Sequence, residues 1–225
     1  MKPLEPRSMA ARVALDIPEG AYVNLGIGLP VQVAAHVPEG REVIYHSENG
    51  IIGMGPAPAP EDLDPDLVDA SKRHVTLVQG GAYCDSAESF GLMRGGHLDI
   101  AVLGAFQVSQ GGDLANWATD DEVYPPAVGG AMDLAIGARQ VFVLMRHTSR
   151  DGSPKILERC TYPLTGSGVV TRIYTDLAVL EVTPSGLAVI ELHPGNTLDE
   201  VQALTGCRLI APPFAATPRV RGDEC

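Results

Sequence analysis

Aromatic residues are scarce in this sequence: they make up 5% of 225 positions, with a single tryptophan. That is too few for a platform on which successive bases could stack. Positive charge is scarce as well. Lysine and arginine number 16 against 28 aspartates and glutamates, a formal net charge of −12. Such a surface repels phosphate backbones and anionic headgroups, which argues against nucleic-acid binding and membrane adhesion. No apolar run approaches the roughly 20 residues of a membrane span. The first fifteen residues lack the apolar core of a secretory signal. The four cysteines, Cys84, Cys160, Cys207 and Cys225, form no CxxC pair. Neither a zinc site nor a disulfide scaffold is legible in them, and reduced thiols in a cytoplasmic protein are the expectation. His36, His46, His74, His97, His147 and His193 lack ligand spacing, and neither H-E-x-x-H nor G-x-S-x-G occurs. No metal is expected.

What is present fits a folded globular chain. Hydrophobic residues make up 45% and charged residues 20%, the balance of a globular protein and not of a disordered one. The 25 glycines and 18 prolines are dispersed and imply many tight turns. Helical patterns are expected over residues 8–17, with Ser8 as cap, and over 31–37, 86–94, 130–138 and 197–204. The last opens with a capping box formed by Thr197 and Glu200. Strands are expected over 21–25, 42–46, 74–78, 98–103, 139–145, 172–175, 178–183 and 187–192. The last two are joined by Thr183-Pro184-Ser185-Gly186 as a hairpin. Strands alternating with helices imply an α/β fold with a mainly parallel sheet, mixed at one edge and covered on both faces. One domain over residues 1–211 and a loose tail over 212–225 are expected. The tail's Arg221-Gly222-Asp223 resembles an adhesion tripeptide, to which a cytoplasmic tail gives little weight.

Three stretches carry candidate chemistry. Gly26-Ile27-Gly28 follows a strand, and Glu48 lies about 20 residues on, as in a dinucleotide-binding fingerprint. The third glycine is replaced by Val31, so a nucleotide-binding oxidoreductase domain is the alternative class. The second stretch is Ser47-Glu48-Asn49-Gly50, followed by Gly53-Met54-Gly55-Pro56. It puts a carboxylate and several glycines just past a strand, where open α/β sheets place ligands. The plain alternative is a solvated loop glutamate. The third runs from Arg94-Gly95-Gly96-His97 to Gly112-Asp113-Leu114-Ala115-Asn116-Trp117, a cluster of polar residues around a strand. His97 there is either catalytic or a structural hydrogen-bonder.

These motifs, with Asn24-Leu25-Gly26-Ile27-Gly28, Gly129-Gly130-Ala131-Met132-Asp133 and Pro163-Leu164-Thr165-Gly166, resemble the B (β) subunit of family I, 3-oxoacid-type CoA-transferases. The resemblance runs from about Met9 to about Ile210. Residues 126–134 and 172–184 resemble most the 3-oxoadipate branch. The resemblance implies a three-layer α/β/α sandwich and a nucleophilic Glu48 that passes through a glutamyl-CoA thioester. It implies a backbone N–H of Gly129 aimed at the transition-state oxyanion, and substrate or CoA contacts at Gly26, Gly28, Asn49, Gly50 and Gly130. No cofactor is implied, since the CoA thioester is a substrate. The implied partners are an acyl-CoA, a 3-oxo acid and a separate CoA-transferase α (A) subunit, in a heterodimer or an α2β2 heterotetramer. The implied reaction is transfer from succinyl-CoA to 3-oxoadipate, a step feeding aromatic degradation, or to acetoacetate in the ketone-body branch. A dicarboxylic acceptor calls for a cation. Arg94 is a candidate in this chain, with the α subunit as the other source of the cation; the plain alternative for Arg94 is a structural partner of Asp99 or of a nearby carbonyl. The stretch Pro125-Pro126-Ala127-Val128 departs from the family's glycine-rich pattern, so the loop path there is expected to differ.

Overall fold

The computed structural model describes residues 1–119 and 127–211. The expected tail, its Arg-Gly-Asp tripeptide, Cys225 and the Pro125-Pro126 half of the variant loop lie outside these residues. The chain runs α1 (Pro6–Leu15), β1 (Tyr22–Leu25), a 3-10 helix (Pro30–His36), β2 (Ile44–Ser47), β3 (Ile51–Met54) and β4 (Leu77–Tyr83). It continues through α2 (Ser86–Arg94), β5 (Ile100–Leu103), β6 (Gln107–Ser109), β7 (Leu114–Ala115), α3 (Ala131–Gly137) and β8 (Gln140–Leu144). It ends with β9 (Ile156–Leu157), β10 (Arg172–Tyr174), β11 (Ala178–Thr183), β12 (Gly186–Leu192), α4 (Leu198–Ala203) and β13 (Leu209–Ile210).

Strands buried on both faces need apolar side chains at successive positions. Ile100, Ala101, Val102 and Leu103 meet that demand, each at most 3% exposed. Their alternation divides the core in two. Ile100 and Val102, with Phe142, Leu144, Tyr174 and Val179, pack under α1 and the 3-10 helix. Ala101 and Leu103, with Val141, Val143, Ile173 and Leu180, pack against Met93 of α2, Leu134 of α3 and Val201 of α4. Each fully buried Val, Leu, Ile, Phe or Met side chain among them contributes roughly 1.5–3 kcal/mol relative to exposure. The result is a three-layer α/β/α arrangement, as expected.

The main sheet among the described residues has the order β13-β12-β11-β10-β8-β5-β1-β2-β3-β4. Its centre, from β10 to β2, is parallel throughout. The predicted hairpin of β11 and β12 forms the antiparallel turn at one side. The opposite side is antiparallel as well, because β3 and β4 fold back on β2. A small sheet, β7-β6-β9, sits apart.

Several local expectations shift. The first helix starts at Pro6 with Glu5 as cap and no side-chain capping bond, and Ser8 is an exposed residue inside it. Proline at the first helical position presets φ, so no hydroxyl cap is needed. Residues 30–36 wind as a 3-10 helix, in which positions three apart coincide. Pro30 and Val33 are accordingly the two it buries. The glycine-bearing stretch after Glu48, where no strand is expected, contains β3, bulged where the register shifts between Ile52 and Met54. The strand expected at 74–78 begins instead at Leu77, since His74 makes an isolated bridge back to Val68. The capping box of α4 is present, with Thr197 N–H donating to Glu200 Oε2 at 2.9 Å. No helix among the described residues is long and apolar enough to cross a membrane.

Two histidines are locked into this core. His46 is 2% and His147 1% exposed. Burial is the leading cause that pushes both pKa values down to about 4, opposed at His147 by the charge of Asp176. Their unfolded values lie near 6.5. Between those limits the unfolded chain binds protons that the folded chain refuses, so stability falls as the pH falls. The slope reaches up to ~1.4 kcal/mol per pH unit for each group. Denaturant midpoints should decline from pH 6.5 to pH 4.5, and a flat profile there would contradict the neutral buried imidazoles.

Candidate active site

The site begins with a turn. Strand β2 ends at Ser47, β3 begins at Ile51, and the pair is antiparallel with Ser47 opposite Ile51. Residues 48–50 must reverse the chain in three positions. Gly50 N–H donates to Ser47 O at 2.9 Å, and Gly50 takes φ +109°, in the region that favours glycine. A Cβ there would also strike the Cys84 carbonyl oxygen. Asn49 braces the turn at both ends of its amide. Ser47 Oγ donates to its Oδ1 at 2.7 Å, and its Nδ2 donates to Val68 O at 2.8 Å. The Glu48 side chain has no hydrogen-bond partner among the described residues.

The backbone of Glu48 is held from below. Asn24 Nδ2 lies 3.1 Å from His46 Nδ1 and also donates to His46 O at 3.1 Å. His46 Nε2 lies 2.9 Å from Ser89 Oγ. Ser89 Oγ donates to the Glu48 carbonyl at 2.7 Å. The hydroxyl's only proton is therefore spent on Glu48, so it accepts from Nε2–H, and His46 Nδ1 accepts from Asn24. The chain of bonds requires a neutral imidazole, in accord with its depressed pKa. Ser89 is fully buried and comes from α2, whose Asp85 cap accepts from Glu88 N–H at 2.9 Å.

Above the turn is a cavity of about 470 Å³. Gly26, Glu48, Gly129 and Gly130 line it, together with Asn24, Leu103, Phe106 and Asn116. Gly28, Asn49 and Gly50 are not on its wall: Gly28 is in an exposed turn, and the other two shape the loop. Glu48 and Gly130 meet closely on this wall. A Cβ on Gly130 would occupy the space of Glu48 Oε2, so the carboxylate lies directly against that backbone. The N–H groups of Gly129 and Gly130 are taken by no acceptor among the described residues. Burial first, and the charge of Asp133 second, raise the Glu48 pKa above its ordinary value. A carboxylate that is more basic and less hydrated is a better nucleophile.

Other candidates fall elsewhere. His97 lines a different cavity, with Tyr22, Asp99 and Arg139. Arg94 pairs with Asp133 at 2.6 Å and is not on the wall around Glu48. Asn116 reaches that wall, while its neighbours serve structure. Asp113 accepts from Ser109 and Ser167, and Trp117 Nε1–H donates to Leu164 O. Thr165 Oγ1 donates to Asn116 Oδ1 at 2.6 Å, so two motifs distant in sequence clasp each other. Cys84, Cys160 and Cys207 are free thiols off this wall. Burial pushes the latter two up to about 11, away from thiolate at neutral pH. Among the described residues no group of three His, Cys, Asp or Glu could hold a metal ion. Sequence reasoning missed Asp69 and Arg73, which both line the cavity. Their spacing of four, within a polar loop, was the available signal.

Ser89→Ala removes the donor to Glu48 O and the acceptor for His46 Nε2–H at once. Leaving buried polar groups unpaired costs about 1–3 kcal/mol. Chemical unfolding should show a loss of that size, and an unchanged midpoint would mean that the relay does not support the turn.

Residues 7–204 match the family model described as Coenzyme A transferase. The chain is 62% identical over 209 residues to the B subunit of the 3-oxoadipate CoA-transferase of Pseudomonas putida, covering 93% of this chain and 98% of that one. It is 45% identical over 194 residues to the B subunit of the succinyl-CoA:3-ketoacid coenzyme A transferase of Helicobacter pylori, covering 86% and 93%. Against the rat mitochondrial succinyl-CoA:3-ketoacid coenzyme A transferase 2A it is 44% identical over 215 residues, which is 94% of this chain but 41% of that protein. Among solved structures, the acyl-CoA transferase apoenzyme of Escherichia coli O157:H7 shares the fold. Its TM-score is 0.71 at 21% identity, covering 94% of this chain and 42% of that one. The glutaconate coenzyme A-transferase of Acidaminococcus fermentans does so with a TM-score of 0.67 at 19% identity, covering 92% and 86%. The two glycines of the alternative nucleotide fingerprint lead here into a proline-started 3-10 helix and not an α-helix. With the family model spanning nearly the whole chain, the oxidoreductase alternative gives way: this chain belongs to the coenzyme A transferase family, on the side of its B (β) subunits.

Proposed function

We propose that this chain is the nucleophile-bearing subunit of a two-subunit enzyme that moves CoA from succinyl-CoA to a 3-oxo acid, with 3-oxoadipate as acceptor. The observation that carries the reading is the Glu48 carboxylate, without a hydrogen-bond partner among the described residues and packed against Gly130 on a cavity wall. The likeness to subunits named for 3-oxoadipate supports the acceptor. The relatives named for 3-ketoacids, at lower identity, support acetoacetate as the second candidate.

The chemistry follows from the groups present. Glu48 attacks the thioester carbonyl of the acyl-CoA, and the C–S bond breaks to give an acyl-glutamyl anhydride and CoA thiolate. A thiolate is a good leaving group, its acid having a pKa of about 8.5, so no neighbouring base is required. The thiolate then attacks the glutamyl carbonyl and expels the acyl group as a free carboxylate, leaving glutamyl-CoA. The acceptor carboxylate runs the same two steps in reverse and frees Glu48. Each tetrahedral oxyanion needs aimed donors. Gly129 N–H is assigned that role, with Gly130 and Gly26 giving close backbone approach. Gly28, Asn49 and Gly50 support the site through the loops they shape.

The partner is a CoA-transferase A subunit. The relatives named as B subunits imply one, and the rat relative, of which this chain spans about two-fifths, has room for a second unit in one polypeptide. A heterodimer or a pair of such dimers fits equally.

Glu48→Gln, made in the complex with the A subunit, should abolish transfer, since an amide cannot form the anhydride. Wild type incubated with succinyl-CoA alone should carry a CoA adduct on the peptide containing Glu48, and the variant should carry none. Because the folded-state pKa of Glu48 is raised, ionising it weakens the fold as the pH rises through that value. The Gln variant should therefore be at least as stable as wild type at pH 7, with any gain vanishing below about pH 4.3. Appreciable turnover by Glu48→Gln, or a CoA adduct at Cys160, would remove Glu48 from the mechanism.

Acceptor choice is decided by kcat/KM for 3-oxoadipate against acetoacetate with succinyl-CoA fixed. A tenfold preference for 3-oxoadipate, about 1.4 kcal/mol, is expected. The opposite preference would move the chain to the acetoacetate branch and leave the Glu48 chemistry in place.

A further inference from the structure

The cavity around Glu48 contains one cation among its described lining residues, Arg73. Its guanidinium is anchored from behind. Nε donates to Asp69 Oδ2 at 2.9 Å, and Nη2 donates to the same oxygen. Asp69 is 4% exposed, whereas the Arg73 side chain is 49% exposed. The other carboxylate oxygen of Asp69 accepts from Ser71 N–H at 2.8 Å and Arg73 N–H at 2.9 Å. Lys72 N–H donates to Asp69 O at 2.9 Å. The turn is thus held by three backbone N–H groups, independently of the guanidinium.

A guanidinium has five N–H donors in a rigid fork. Two are used on Asp69. The other three meet no acceptor among the described residues. Arg73 also lines a second, mostly apolar cavity of about 420 Å³, beside Leu25 and Met54, which both cavities share. Three fixed donors are therefore offered where a reaction cavity meets an apolar extension. An anion there is separated from the carbonyl at Glu48 by the ligand's own carbon chain. The chain's net charge is −12 and Glu48 is itself acidic, so a dianionic ligand needs such a counter-charge.

We propose that Arg73, steadied by Asp69, receives the far carboxylate of a dicarboxylic substrate and so sets the acceptor specificity of the Glu48 site. This rests on the CoA-transfer reading. The same donors would suit a CoA phosphate, and the experiment separates the two sources.

Arg73→Gln and Arg73→Lys are prepared in the complex with the A subunit. Gln can still donate to Asp69, and Lys keeps the charge. With 3-oxoadipate and acetoacetate competing for the same enzyme-bound CoA, the ratio of their kcat/KM values is independent of the donor. That ratio should fall tenfold or more in the Gln variant and recover in part with Lys. A second arm compares acetoacetyl-CoA with acetoacetyl-pantetheine as donor. Equal effects of Arg73→Gln on both are expected, whereas a loss confined to the CoA form assigns Arg73 to a phosphate and overturns the proposal. An active wild type whose acceptor ratio is the same in all three proteins overturns it alone. A wild-type complex that moves no CoA removes the reading and this proposal together.

Discussion

The site depends on one steric fact: a carboxylate and a backbone occupy adjoining space with no side chain between them. Glu48 comes from the turn after β2 and Gly130 from the segment that starts α3, and the missing Cβ of Gly130 is where Glu48 Oε2 lies. Close approach of two such segments requires both elements to be fixed. The β2 end is fixed by the parallel register with β1, Asn24 against His46, and by the antiparallel return of β3. The α3 end is fixed through its contact with α2 and by Leu134 and Ala135 in the core. Helix α2 serves both ends, because Ser89 holds the Glu48 carbonyl.

The polar relay beneath Glu48 works only in one protonation state. A charged His46 would present a proton at Nδ1 to Asn24 Nδ2, donor against donor. Burial keeps the imidazole neutral and so keeps the relay directional, from amide to ring to hydroxyl to carbonyl. The same low-polarity surroundings raise the Glu48 pKa. One environment therefore does two things. It stabilises a neutral scaffold below the turn, and it leaves the carboxylate above it poorly solvated and more basic. The second effect costs stability and, in the proposed chemistry, favours attack on a thioester, the trade expected where a fold carries a reactive group.

Much of this was legible beforehand. Strands buried on both faces announce themselves by unbroken apolar runs, as in Ile100 to Leu103, and the Thr197–Glu200 capping box by residue type and spacing. The Ser-Glu-Asn-Gly motif and the paired glycines pointed to the residues that meet at the cavity. What failed to show was short and irregular. Strand β3 is four residues with a glycine inside, and its identity comes from β2 and β4 on either side, not from local propensity. The winding of residues 30–36 is set by what Pro30 and Val33 can bury. Arg94 was the better cation by motif, but its partner Asp133 faces it across α2 and α3. Arg73 was hidden because a pair spaced by four in a loop reads as a surface contact until Asp69 is seen to be buried.

Those two arginines show how the electrostatics of the site are organised. Asp133 raises the Glu48 pKa, and Arg94 pairs with Asp133, which limits how much of that negative charge the cavity feels. Arg94 thus acts on Glu48 at one remove, from an exposed position where solvent screens it. Arg73 stands on the cavity wall itself, with its carboxylate partner buried behind it. A cation placed next to Glu48 would lower its pKa and weaken it as a nucleophile. A cation on the shared wall of two cavities can instead neutralise the far end of a ligand while the near end remains in the poorly solvated pocket. In the proposed reaction, separation of the two charges along the ligand's length would reconcile a basic carboxylate with an anionic substrate in a protein that is itself strongly negative.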